Sequence, residues 1–268
     1  MTTPVPDRDS YLKEWSVLHG EYDPVGGPLI VRQWLALVYR LGRPTAARGV
    51  SPSTITVAAA VMTAAMLPPV VAGGRWPLLA AVLVVVGGLL DNLDGCVAVL
   101  TGRVTAWGYV LDSLADRVAD TVCLVAFWLL GAPGEVCAAA GVALGLLEYL
   151  RARAGNAGFG EIGVVTIGER PTRIIIAMTV MLAAAADPVR GHLAGLIGAA
   201  GTFGVCAVGL VQLATVINRT LDGAGRSTAQ VVLRGTDHVS DDLRGHGDQR
   251  QAAARMRRPA HQEQTGDR

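Results

Sequence analysis

Charge is scarce in this 268-residue sequence: Asp, Glu, Lys and Arg make up 17%, while 51% of residues are hydrophobic and the mean hydropathy is +0.41. Soluble domains of this size seldom reach that balance, so composition favours a membrane protein. Aromatic residues are sparse too, with only 3 Phe, and the apolar content is carried by Ala, Val, Leu and Gly. The 33 glycines suit helices that approach closely in lipid, which favours a helical bundle over a β-barrel. Cys96, Cys123, Cys137 and Cys206 lack CxxC spacing and fall in apolar stretches, so they read as small packing residues instead of zinc ligands or a disulfide framework. Residues 1–27 have no basic segment leading into a cleavable apolar core, so they are not expected to act as a signal peptide. Net charge is +1, and no nucleic-acid partner is expected.

Residues 1–27 are polar, mixed in charge and broken by Pro and Gly, and read as a cytosolic lead. From Pro28 to Arg48, Leu29, Ile30, Trp34, Leu37, Val38 and Leu41 alternate with Arg32, Arg40 and Arg43, the pattern of an amphipathic helix lying in the membrane interface. No charge occurs between Arg48 and Arg75, long enough for a span of about 20 residues. Further spans are predicted from Trp76 through the region of Asp91 and Asp94, over 107–131, 136–150, 172–186 and 191–218. The fold class is therefore an all-α polytopic membrane protein with six transmembrane helices and an N-terminal interfacial helix. Residues 28–218 form the membrane domain, and 219–268, rich in Arg, Asp, Gln and Gly, read as a disordered cytosolic tail.

Arginine placement orients these spans. With the N-terminus inside, cytoplasmic segments hold Arg40, Arg43, Arg48, Arg103, Arg151, Arg153, Arg170, Arg173 and Arg219, and outer loops hold only Arg75 and Arg190. Six spans with both termini cytoplasmic, in the plasma membrane, satisfy this bias. The same arrangement gathers Asp91, Asp94, Asp112 and Asp116 towards the cytosolic face.

Those four acids carry the functional argument. A charged side chain at the centre of a membrane helix costs roughly 2.5–3.5 kcal/mol on insertion scales, so four of them demand a role. Asp91 and Asp94 are three apart and Asp112 and Asp116 four apart, which puts each pair on one helical face as a two-carboxylate clamp. An all-oxygen ligand set suits a hard cation such as Mg²⁺ or Mn²⁺. Gly95, Ala98 and Gly108 beside the acids leave room for a bulky ligand. Each acid alone could instead reach water or pair with Arg103 or Arg117. Asp120 continues the stripe, and its expected role is pairing with an arginine.

The residues Asp91-x2-Asp94-Gly95-x2-Ala98 followed by Gly108-x3-Asp112-x3-Asp116 resemble the signature of the CDP-alcohol phosphotransferase family, D-x2-D-G-x2-A-R-x8-G-x3-D-x3-D. One position departs: Val99 stands where the pattern has Arg. The likeness extends from Ser51-Pro52-Ser53 and Thr56 to Gly168-Glu169-Arg170-Pro171 and Arg173. The resemblance implies a six-helix bundle, a homodimer, a polar cavity open to the cytosol and a dinuclear Mg²⁺ or Mn²⁺ site. It makes Asp91, Asp94, Asp112 and Asp116 the ligands of the two ions and Asp116 also the general base. It assigns Gly95, Ala98, Thr105, Gly108, Ser53 and Thr56 to the CDP-linked donor. Val99 removes a donor contact, and Arg103 is the nearest candidate to compensate.

The implied reaction moves a phosphatidyl-type group from a donor such as CDP-diacylglycerol to an alcohol acceptor, releasing CMP, in phospholipid biosynthesis. Arg151, Arg153, Arg170 and Arg173 form a second constellation at a loop with five glycines from Gly155 to Gly168, and Arg151, Arg153 and Arg173 are the candidates to grip an anionic acceptor, or they simply obey the positive-inside rule. A polyol phosphate is the expected acceptor, inositol phosphate first and glycerol phosphate second. The competing readings are a transporter with an intramembrane cation site, disfavoured by the absence of an internal repeat, and an inactive family member suggested by Val99.

Overall fold

The structure is a computed structural model that describes residues 6–18, 23–156 and 166–220, with the side chains of Leu18 and Ile30 set aside. The predicted tail from 221 onward and much of the glycine-rich loop lie outside these residues. Every described element is helical.

Two short helices precede the bundle, α1 (Arg8–Leu18) and α2 (Leu29–Ala47). Asp7 accepts from the Ser10 amide at 2.9 Å, and this bond holds its carboxyl below the ordinary value. The polar lead thus contains a helix that docks: Tyr11 is 1% exposed, with its ring centroid 5.5 Å from that of Tyr39.

The helix α3 (Pro52–Ala64) starts with Pro in its first turn and gives way to α4 (Leu67–Ala72), where Pro68 and Pro69 supply no amide to continue the ladder. Next, α5 (Pro77–Thr101) begins on a proline and ends at Gly102, whose φ of 63° lets the Arg103 amide bond back to the Ala98 carbonyl at 2.9 Å. Thr105 then caps α6 (Ala106–Leu129) by accepting from the Gly108 amide at 3.0 Å. These two caps set a tight link between the helices that carry the aspartates. After α7 (Gly134–Ala154) and α8 (Arg170–Ala186), a 3-10 turn at Pro188–Arg190 leads into α9 (191–220). One compact unit of the chain ends at Thr215; the described residues of the next, 216–220, are helical.

Among the described residues, three stretches are long and apolar enough to cross a membrane: Pro52–Ala72, Pro77–Thr101 and Pro188–Thr220. The other three predicted spans are helices too, α6, α7 and α8, but they carry charges or, for α8, stop at 17 residues. With α5 at the centre, packed by α3, α8 and α2, the core divides in two along it. One cluster joins Val84 of α5 to Phe127, Ala140, Met181 and Ala199 from α6 to α9. The other joins Leu93, Cys96, Val97 and Val99 of α5 to Tyr11, Val38 and Ile55. Close helix approach is real: a Cβ on Gly198 would lie 2.7 Å from Val180 Cγ2. All four cysteines are free, as packing residues would be.

Candidate active site: a carboxylate cluster beside a polar cavity

The acids of α5 and α6 meet between the two core clusters. Carboxylate oxygens of Asp91, Asp112 and Asp116 all lie within 4.8 Å of one another. At that separation each pair of charges repels by about 3 kcal/mol at an effective dielectric of ~20, so the cluster requires positive charge. Arg170, at the start of α8, supplies one: its Nη1 lies 2.5 Å from Asp91 Oδ1 and in direct contact with Asp116 Oδ1. Both oxygens are buried and accept no well-formed hydrogen bond, so the guanidinium offers them charge without satisfying them. Converging, buried, under-bonded carboxylate oxygens are the donor set a hard divalent cation needs, and the residues fit such an ion.

Asp94 stands beside this triad and is held separately. It is 6% exposed; its Oδ2 accepts from the Thr56 hydroxyl and its Oδ1 from the Gly95 amide at 2.6 Å. Thr56 therefore orients a carboxylate as well as lining the adjacent space. Its hydroxyl also lies 3.1 Å from the Pro52 carbonyl.

A cavity of about 600 Å³ opens next to Asp94 and Asp112. Ser53, Thr56, Gly95, Ala98, Thr105 and Gly108, the six residues expected at the donor, all line it. A Cβ on Gly95 would meet no protein atom within 4 Å. Packing therefore does not require glycine there, and the bare backbone keeps space for whatever fills the cavity.

None of Arg151, Arg153 and Arg173 lines this cavity. Arg173 is 6% exposed and bonds Asp120 Oδ1 at 3.0 Å, Glu148 Oε1 at 3.1 Å and the Gly168 carbonyl at 2.6 Å. Arg151 meets Glu169 at 2.7 Å and Glu148 at 3.7 Å. Arg117 completes the network with Asp120 at 3.1 Å, Glu148 at 3.0 Å and Asp116 at 3.7 Å. Three acids, Asp120, Glu148 and Glu169, thus face three arginines, and Asp120 has the arginine partners expected of it. Arg153 is exposed and has no ion pair among the described residues. Sequence reasoning assigned no role to Glu148, although an acid inside an apolar helix was the signal, and gave Arg170 no contact with the aspartates.

Residues 49–213 match the CDP-alcohol phosphatidyltransferase family, and the chain belongs to it: it is a membrane transferase of phospholipid biosynthesis. Among curated relatives, archaetidylinositol phosphate synthase of Pyrococcus horikoshii is 33% identical over 138 residues, 51% of this chain and 72% of that protein. Phosphatidylinositol phosphate synthase of Mycolicibacterium smegmatis is 34% identical over 158 residues, 53% of this chain and 68% of that protein. The fold also matches that of Mycobacterium tuberculosis phosphatidylinositol phosphate synthase, solved with CDP-DAG bound, with a TM-score of 0.56 at 23% identity over 68% of this chain and 94% of that one. A second structure of that enzyme is in complex with manganese and citrate, with a TM-score of 0.56 at 23% identity over 67% of this chain and 88% of that one.

Proposed function

We propose that this enzyme transfers the phosphatidyl group of CDP-diacylglycerol to a hydroxyl of a phosphorylated polyol, with inositol phosphate the first choice and glycerol phosphate the second. The observation that carries the reading is the joining of the carboxylate triad to a cavity walled by the small and hydroxylated residues of the motif. The names of the curated relatives support the inositol phosphate choice.

In this reading Asp91, Asp94, Asp112 and Asp116 hold two divalent ions, Mg²⁺ or Mn²⁺, which when bound neutralise the diphosphate and polarise its phosphorus. Gly95, Ala98, Gly108, Ser53, Thr56 and Thr105 seat the donor, and the shape of the cavity aligns it for attack. The acceptor oxygen bonds to the phosphatidyl phosphorus as the bond to CMP breaks. Asp116 accepts the hydroxyl proton, and CMP leaves carrying the bridging oxygen. Arg153, without an ion pair among the described residues, contacts the acceptor phosphate, while Arg151 and Arg173, held by carboxylates, shape the wall behind it.

The reading further places six helices across the plasma membrane, with both termini and the site on the cytosolic side, α2 in the interface and two chains in a homodimer. The test is lipid product formation by purified protein from CDP-diacylglycerol and a panel of phosphorylated and free polyols. The expected result is a preference for the phosphorylated acceptor, lost in Arg153→Ala through a raised acceptor KM at unchanged donor KM. Preference for a free alcohol would refute the acceptor assignment.

A further inference from the structure

We infer that Arg103 is the cationic contact for the nucleotide phosphate of the donor, an inference that rests on the CDP-linked donor proposed above. The cavity beside the triad must receive an anionic diphosphate, yet the other charged residues in its wall are Asp94 and Asp112. Among the described lining residues, Arg103 is the one cation. It also has no carboxylate within ion-pair reach among the described residues, whereas Arg117, Arg151, Arg170 and Arg173 are all engaged by acids. An arginine that neither pairs nor packs, in the wall of an otherwise acidic cavity, is available to an incoming phosphate.

Its placement is built. Gly102 in the left-handed region ends α5, the Arg103 amide is tied to the Ala98 carbonyl at 2.9 Å, and Thr105 caps α6 two residues on. The backbone of Arg103 is thereby fixed between the two helices that carry the acids. At 1.5 Å rise per residue, the end of α5 lies about 10 Å beyond Asp94, so a donor whose scissile phosphate sits at the carboxylates and whose nucleotide runs along the cavity wall passes Arg103. Val99 lines the same wall but packs with Tyr11, Val38 and Cys96, so the position that departs from the motif contributes no charge.

The test compares wild type, Arg103→Ala and Arg103→Lys in lipid product formation from CDP-diacylglycerol, with added CMP and added cytidine as competitors. One charge-assisted contact predicts a rise in donor KM of about tenfold in Arg103→Ala, with CMP inhibition weakened by a similar factor. Inhibition by cytidine, which has no phosphate, should stay as in wild type, acceptor KM should not move, and Arg103→Lys should recover most of the loss. Because Arg103 is exposed, Arg103→Ala should unfold at the wild-type temperature. An active wild type with unaltered donor KM and CMP inhibition in Arg103→Ala refutes this inference alone, and so does equal weakening of CMP and cytidine. A wild type that neither uses CDP-diacylglycerol nor binds CMP overturns the donor assignment and this inference with it.

Discussion

Replacing Arg173 by Ala should destabilise the bundle rather than merely weaken substrate binding. The side chain is buried and makes three polar contacts, to Asp120, Glu148 and the Gly168 carbonyl. Removing one partner of a buried pair costs about 3–5 kcal/mol, because the remaining charges lose compensation in a low-dielectric setting. Arg117 stays within 3.1 Å of Asp120 and 3.0 Å of Glu148, so part of the compensation survives and the lower figure, about 3 kcal/mol, applies. For a domain of this size that corresponds to a fall in Tm on the order of 10 °C. Thermal unfolding in detergent of Arg173→Ala, Asp120→Ala and the double variant measures it. The double variant should lose far less than the sum of the singles, since each removes the same interaction. A wild-type Tm for Arg173→Ala with only acceptor KM raised would refute the reasoning and make Arg173 a ligand-binding residue.

Gly95→Leu should leave Tm within about 1 °C of wild type, since a Cβ there meets no protein atom within 4 Å and the position borders the cavity, and should raise donor KM at least tenfold; a wild-type KM would show that the cavity is not the donor site. Thr56→Val keeps the side-chain shape and removes the hydroxyl held on Asp94, so the divalent concentration giving half-maximal activity should rise several-fold, read by Mg²⁺ titration; an unshifted curve would deny Thr56 its orienting role. Asp116→Asn should lower kcat by at least 10³-fold in a protein that remains folded, because the amide neither takes the proton nor serves as an anionic ligand; comparable turnover would remove Asp116 from the mechanism.

How much could be read from the sequence follows from the range of each interaction. Asp91 with Asp94, and Asp112 with Asp116, are set by helical spacing within one element, so their shared faces were legible directly. The helices themselves were also legible as apolar stretches, although α6 and α7 carry charges that compensate one another inside the bundle. The hold of Thr56 on Asp94 spans 38 residues, and that of Arg173 on Asp120 spans 53, and no periodicity encodes such meetings. The docking of α1 was hidden because the helix is rich in charged residues, and Tyr11, with Leu12 and Trp15 packed beside it, supplies a small anchor. Glu148 was visible in principle by the rule that exposed the aspartates, that an acid within an apolar helix needs a partner.

The carboxylate cluster is proposed to work by holding divalent cations at a CDP-linked donor. The most direct measurement of this is CMP release from CDP-diacylglycerol and inositol phosphate by purified protein, first stripped with a chelator and then titrated with Mg²⁺ or Mn²⁺. The expected result is no release from stripped protein, recovery on adding either ion, and no recovery in Asp91→Asn or Asp112→Asn. Undiminished CMP release after exhaustive metal removal would contradict it.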